Sequence, residues 1–564
     1  MINVVEFKNF TFKYINQAEA TLININLSIK KGEKVLIAGP SGSGKSTLGS
    51  CLNGIVPFSK EGGFKGSLLV NNLFPYETSI FEISKHIGTV LQDQDGQFIG
   101  LSVGEDVSFI DENNLVSQEE MIKNTKEALL TVDMERFINL SPQELSGGQK
   151  QSVSLAGIMR SPANILLFDE PLANLDPESG KHAMKLISHI QKNTEKTIIV
   201  IEHRIEDVLE ENFDRVIILN KGEIVANGTP EELFKKDIFR AYGLREPLYI
   251  EALKYAGIDI KKDIIYPLAK VGTQHNIEKV NNWCNSSKTK TNNFSQTILQ
   301  VKNLSFSYDK NHPILENINF SLHQGEILSL LGNNGAGKST LCKVITGIEK
   351  AISGDILLSN ENINKLNIRK RGEKIGYVMQ NPNHMITQET LLEEVEFGLK
   401  IREFKNIRER AEEALKVCGL YEFKNWPVTS LSYGQRKRLT IASILALEPK
   451  VLILDEPTAG QDYKRYKEFM QFIKEIAKKG VGIILITHDM HLALEYSNRS
   501  IVLCQGTIIA NNHPSVILGE KELMRKSRLK ETSLSSMAEL MNIEPEILMN
   551  TFINHENRKE DSNV

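Results

Sequence analysis

Gly39-Pro40-Ser41-Gly42-Ser43-Gly44-Lys45-Ser46 follows the apolar run Val35-Leu36-Ile37-Ala38 and leads into Thr47-Leu48. The octet satisfies G-x-x-x-x-G-K-[ST] between a strand-like run and a possible helix, the context that gives this motif its meaning. Its glycines let backbone N–H groups wrap phosphate oxygens, and the start of the helix adds partial positive charge. Lys45 can reach the outer phosphates, and Ser46 can ligate magnesium. One such octet could be an accidental glycine-rich turn. A second, Gly332-Asn333-Asn334-Gly335-Ala336-Gly337-Lys338-Ser339, follows Ile327-Leu328-Ser329-Leu330-Leu331 and precedes Thr340. Two octets in matching contexts set chance aside.

Working outward, the same order of segments occurs twice. Alternating strand-like stretches come first: Val4–Phe7, Thr11–Tyr14 and Leu22–Ile29, matched by Ile298–Val301, Leu304–Tyr308 and Ile314–Leu322. After each octet come Val90-Leu91-Gln92 or Val378-Met379-Gln380, then Leu145-Ser146-Gly147-Gly148-Gln149 or Leu431-Ser432-Tyr433-Gly434-Gln435. Ile165-Leu166-Leu167-Phe168-Asp169-Glu170-Pro171 matches Val451-Leu452-Ile453-Leu454-Asp455-Glu456-Pro457, and Ile198–His203 matches Ile483–His488. The offset stays between 285 and 293 residues, so one module is duplicated. The expected domains are residues 1–235, a helical extension with polar linker at 236–296, a second module at 297–515, and a helical tail at 516–564. Asn285–Asn293 reads as flexible linker. In the tail, Leu534, Met537, Leu540 and Met541 form a stripe that should pack on the second module, and Asn554–Val564 should fray.

Composition bounds the classes. A chain of 564 residues exceeds one core, and 41% hydrophobic with 24% charged residues is ordinary globular usage. A net charge of −4 offers no basic field for nucleic acid. Cys51, Cys284, Cys342, Cys418 and Cys504 form no C-x-x-C pair, which speaks against a disulfide frame or zinc site. No basic leader or uninterrupted run of roughly 18 apolar residues is present, so any membrane role is expected through partners.

Asp169 and Asp455 end buried strands, as a magnesium-holding carboxylate requires. Glu170 and Glu456 could be solvated. At a strand's C-terminal edge beside the phosphate loop, each reads better as the group that orients or deprotonates an attacking water.

In this order, the motifs resemble the ATP-binding-cassette ATPases over nearly all of both modules. The resemblance implies an α/β fold with two P-loop NTPase domains. Each should have a mainly parallel core sheet, an antiparallel β subdomain and a helical subdomain. It implies ATP and Mg2+ as ligands. Gly39–Thr47 and Gly332–Thr340 would cradle phosphates, Tyr14 and Tyr308 would stack on adenine, and His203 and His488 would be γ-phosphate switch histidines. Gln92 and Gln380 would join Ser46, Asp169, Ser339 and Asp455 at the metal. It further implies intramolecular pairing of the cassettes, with Ser432, Gly434 and Gln435 closing the Lys45 site and Ser146, Gly147, Gly148 and Gln149 closing the Lys338 site. Tyr433 departs from the first signature glycine and should alter kinetics. Gln461 departs from the D-loop pattern, while Asp176 and Asp462 keep its Asp.

Gln92–Gln97 and Gln380–His384 are similar to the ATPases of energy-coupling-factor importers, which take up vitamins and transition metals, and Leu244–Ile250 with the helical tail resembles their fused, duplicated version associated with thiamine-precursor uptake. Met385 departs where the last Gln of that pattern would fall. That resemblance implies a transmembrane coupling subunit and a solute-binding membrane subunit as partners. The segments 98–140 and 386–427 would be docking regions, and the chain would be peripheral on the cytoplasmic face of the membrane. Duplicated sugar-importer ATPases and ribosome-acting twin-cassette factors are the alternatives. The short Ser/Thr/Asn-rich linker and the D-loops argue against the ribosomal reading. Glu170 and Glu456 argue against a scaffold without turnover.

Overall fold

The computed structural model describes residues 2–91, 96–172, 175–286, 296–309, 312–458 and 463–562. They form two compact units, one through Asn276 and one from Ile277.

In the first unit, the short runs Lys34–Ala38, Ile165–Asp169 and Thr197–Ile201 are apolar, rich in β-branched residues and almost wholly buried. Such runs suit strands covered on both faces of a parallel sheet. The order is Ile87–Val90, Ile165–Asp169, Thr197–Ile201, Lys34–Ala38, Arg215–Asn220, Glu223–Gly228. All neighbours are parallel except the last pair. Thr197–Ile201 therefore lies between the strand that feeds the phosphate loop and the strand that ends at Asp169. Three strand ends converge on one edge, where ligands of open α/β sheets bind.

The antiparallel subdomain orders Leu22–Lys30, Asn3–Tyr14 and Gly62–Val70. Val4–Phe7 and Thr11–Tyr14 are halves of one strand, joined across a register shift where Asn9 takes φ 48°. The helical subdomain contains Val103–Asn113 and Gln118–Thr131, the first closed by a Ser102/Glu105 capping box.

The second unit repeats this plan. Its core sheet orders Ile375–Val378, Val451–Asp455, Gly482–Ile486, Ile327–Leu331, Arg499–Cys504 and Thr507–Asn512. Its antiparallel sheet has Pro313–His323, Thr297–Ser307, Ser353–Leu358 and Glu361–Asn362. Leu391–Ile401 and Ile407–Val417 form the helical subdomain. The five cysteines are free. Among the described residues, no helix is long and apolar enough to cross a membrane.

Two stretches differ from the sequence expectation. Helix Gln274–Asn285 absorbs the start of the expected linker, whose residues 287–295 lie outside the described set. The tail does not fray at Asn554, because helix Pro545–Ser562 continues through it. The Trp283 ring lies edge-on to His555 at 6.0 Å, and Lys467 stands 4.0 Å from Glu556. Leu534, Met537 and Met541 are buried as a stripe should be, whereas Leu540 falls off that face and is 39% exposed.

Candidate functional site

Each octet passes from a central strand into a helix with no side-chain cap: Lys45–Leu52 and Lys338–Thr346. Gly44 and Gly337 precede these helices at φ 101°, a left-handed conformation that glycine adopts without strain. At Gly39, a Cβ would come within 2.2 Å of the Leu219 carbonyl oxygen, so the loop backbone is close-packed there. Ser43 Oγ is buried and has no hydrogen-bond partner among the described residues. Lys45 Nζ donates to the carbonyls of Gly39 and Pro40, both at 2.9 Å. Lys338 Nζ does the same to Gly332 and Asn333, at 2.7 and 2.9 Å. Both lysines thus fold back over their own loops, with the ammonium inside the cradle.

The strands Ile165–Asp169 and Val451–Asp455 bring their terminal carboxylates to the octet serines. Ser46 Oγ donates to Asp169 Oδ1 and Ser339 Oγ to Asp455 Oδ2, each at 3.4 Å. Burial pushes Asp169 up to about 6, with the neighbouring Glu170 charge adding to it. Asp455 is also raised, again by burial first, although Tyr377 donates to its Oδ2 at 2.9 Å. A hydroxyl and a desolvated carboxylate side by side, next to a second carboxylate, form an oxygen donor set that fits Mg2+. Gln92, expected at the same place, lies outside the described residues. Gln380 is described and exposed, and its backbone carbonyl accepts from Tyr433 Oη at 3.1 Å.

Glu170 and Glu456 stand just past their strands at φ 50° and 45°. Their N–H groups donate to Ile201 and Ile486 at 2.9 and 3.0 Å. The structure brings His203 and His488 to these glutamates, though unequally. His488 Nδ1 is 2.7 Å from Glu456 Oε1. His203 Nδ1 is 3.8 Å from Glu170 Oε1 but 3.1 Å from Glu202 Oε1. Glu202 is 1% exposed, and its carboxylate accepts from the backbone N–H groups of Leu172, His203 and Arg204. The matching Thr487 accepts from Asp489 N–H instead.

Ser146 and Ser432 cap the helices Gly147–Met159 and Tyr433–Leu445 through reciprocal bonds with Gln149 and Gln435. A Cβ on Gly434 would meet open space, whereas one on Gly148 would press on Ser179. The Tyr433 ring turns toward its own Gln380 loop, helped by Arg436 Nη1 donating to Asn383 Oδ1 at 2.8 Å. Leu91 N–H donates to Gln97 Oε1 at 3.1 Å, and Met379 N–H points to Met385 Sδ at 3.2 Å, so the thioether takes the amide's place. Tyr14 is half-buried, and its hydroxyl pairs with Thr47 Oγ1 at 3.1 Å. Tyr308 is 58% exposed, with its ring edge-on to Phe306. Of the D-loop residues, 173, 174 and 459–462 lie outside the described set, and Asp176 caps helix Pro177–Thr194.

Sequence reading missed Glu202, Tyr377 and Lys437. Each had a weak signal: Glu202 is a polar group at the end of an apolar strand run, Tyr377 is a polar group one residue before the end of another, and Lys437 is a cation on a helix face that the core must cover.

Comparison with known proteins extends the pattern. A family model described as ABC transporter matches residues 22–173 and 315–459. A second, described as ATP-binding cassette cobalt transporter, matches residues 236–306. The chain is 51% identical over 566 residues to a Bacillus cereus protein described as an ABC transporter ATP-binding protein, covering 99% of each. It is 52% identical over 539 residues to a Clostridium perfringens protein of the same description, covering 95% of each. The solved cbiO1 of Clostridium perfringens, described as part of the ABC transporter complex cbiONQ, is 38% identical. That match covers 44% of this chain and 100% of that one, at a TM-score of 0.39.

Proposed function

This chain belongs to the ABC transporter ATP-binding family, and from that premise we propose that it is the ATPase subunit of an energy-coupling-factor type importer. Its partners would be a transmembrane coupling subunit and a separate solute-binding membrane subunit, with a transition-metal ion or vitamin-like solute as cargo. The observation that carries the subtype is the match to the cobalt-transporter model over 236–306, a segment largely outside both cassettes. The two ATPase domains would be residues 1–235 and 297–515, joined by the helical extension and linker. The chain would sit peripherally on the cytoplasmic face.

In this reading, Lys45 and Lys338 exchange loop carbonyls for β- and γ-phosphate oxygens as ATP enters, offsetting charge that the uncapped helix starts also meet. Magnesium, held by Ser46 with Asp169 and by Ser339 with Asp455, and by Gln92 and Gln380, would supply further positive charge at the phosphates. Glu170 and Glu456 orient the attacking water and draw its proton. His203 and His488, each beside a catalytic carboxylate, contact the γ-phosphate. Tyr14 and Tyr308 offer ring faces to adenine.

The test is purification of the tagged chain from membranes. It should arrive with integral membrane subunits and be released from membranes by alkaline wash, and mass spectrometry with metal analysis of the complex should identify the bound solute. Recovery with ribosomes in a salt-sensitive manner, and none with membranes, would overturn the importer reading.

A further inference from the structure

Lys437 lies on the helix Tyr433–Leu445, yet its ammonium belongs to another element. Nζ donates to the backbone carbonyls of Glu456 at 2.8 Å and Pro457 at 3.0 Å, and the residue is 1% exposed. A buried ammonium is costly unless fixed polar partners replace its water, so this contact cannot be a passing surface one. The Tyr433 ring lies over it, 5.3 Å from Nζ to the centroid.

The carbonyl it holds belongs to the catalytic glutamate. Glu456 occupies left-handed backbone at φ 45°, which a side chain adopts only when its surroundings impose it. Its N–H is tied to Ile486, and Lys437 ties its C=O, so the peptide units on both sides of Cα are fixed. The carboxylate then meets His488 at 2.7 Å. The first cassette keeps the left-handed glutamate, Glu170 at φ 50°, but carries Gln151 where the second has Lys437. Gln151 is 1% exposed, and neither of its amide atoms has a hydrogen-bond partner among the described residues.

We propose that Lys437 is a positioning residue for Glu456, holding the turn after the strand so that the carboxylate faces the attacking water. The first cassette has no such hold from Gln151. The inference rests on the reading of Glu456 as the water-orienting group.

Steady-state ATP turnover of the full chain carrying Glu170→Gln tests it, since that background leaves turnover to the site with Glu456. Lys437→Met keeps the buried stem and removes the donors. Lys437→Gln installs the side chain the first cassette tolerates at the same place, so it carries the test if the Met variant does not fold. A carboxylate released from its position should lower kcat by about 10- to 100-fold. KM and the affinity for a fluorescent ATP analogue should stay within about threefold, the split expected when ground-state binding is intact. Unchanged kcat in the folded variants, or kcat and affinity falling together, would overturn the proposal. Glu456→Gln separates the two readings. If it spares turnover, the role of Glu456 fails and takes this inference with it. If it abolishes turnover while Lys437→Met and Lys437→Gln match their parent, this inference alone fails.

Discussion

Glu202 offers a perturbation whose size can be worked from its contacts. Its Oε1 accepts from His203 N–H at 2.8 Å and Arg204 N–H at 3.2 Å, and its Oε2 accepts from Leu172 N–H at 3.3 Å. Glu202→Ala removes both acceptor oxygens and so all three hydrogen bonds. Leu172 is fully buried, so its orphaned donor carries the full desolvation penalty of about 1–3 kcal/mol. The other two donors are half-buried, and water entering the vacated space can serve them in part. Relief from burying a carboxylate subtracts from the sum. The expected net loss is about 2–4 kcal/mol, a large fraction of a domain's usual stability of roughly 5–15 kcal/mol. Glu202→Gln keeps one acceptor oxygen and the shape, so its loss should fall between Ala and wild type. Urea titration followed by circular dichroism gives the ordering. Both tryptophans, Trp283 and Trp426, belong to the second unit, so fluorescence follows that unit separately. A loss below about 1 kcal/mol for Ala, or a larger loss for Gln than for Ala, would refute the reasoning.

Glu170→Gln combined with Glu456→Gln should abolish ATP hydrolysis and preserve nucleotide binding, and undiminished phosphate release would remove both carboxylates from the catalytic role. Burial lowers Lys34 to about 8, against the opposing pull of Glu211, while its Nζ donates to Ser188 Oγ. A depressed lysine costs stability fully below that value and progressively less as pH rises toward its ordinary 10.5. Lys34→Met should therefore stabilise the chain at pH 7, by an amount that shrinks by pH 10 in paired denaturation curves. A difference that grows over that window would contradict the sign. Tyr433→Phe removes one exposed hydrogen bond to Gln380 and should change turnover by about 2- to 10-fold without altering expression or unfolding midpoint. An unchanged rate would show that the phenol hydroxyl does no work in turnover.

The parallel sheets were legible because fully buried strands leave short runs such as Ile165–Phe168 and Ile198–Ile201 with no polar interruption, bounded by the octets and the Asp-Glu pairs. Helix Gln274–Asn285 was not, because its polar residues conceal a thin apolar face through Ile277, Val280 and Cys284. The end of the tail's last helix, beyond Asn554, was missed for a related reason. Asn554–Val564 is charged and looks solvated, and what holds the segment comes from elsewhere in the fold, at Trp283 and Lys467. At the site, the octets and the Asp-Glu pairs could be read because their chemistry needs particular residue types at short spacings. Lys437 with Glu456 and Glu202 with Leu172 are separated by 19 and 30 residues. No local pattern marks them, since only the packing of a helix or strand edge brings each pair together.

Those hidden contacts are also where the cassettes diverge. Thr89 and Tyr377 occupy the same strand position, yet only the tyrosine reaches forward to Asp455, while the threonine accepts from Asn53. Gln151 leaves its amide without a hydrogen-bond partner among the described residues, where Lys437 grips the turn at Glu456. Glu202 stands beside His203, whereas Thr487 turns to Asp489 and leaves His488 to Glu456. Each exchange lies behind the groups that would meet ATP and alters what holds them, while the glycines, lysine and serine of the octets, the Asp-Glu pairs and the histidines stay the same. In the second cassette, Asp455, the Glu456 backbone and the Glu456 carboxylate are each held by a side chain of that cassette. In the first, Glu202 holds the backbone N–H groups of His203 and Arg204. A catalytic carboxylate fixed in advance loses less freedom at the transition state. Single Glu→Gln changes should therefore cost unequally, with Glu456→Gln removing the larger share of turnover.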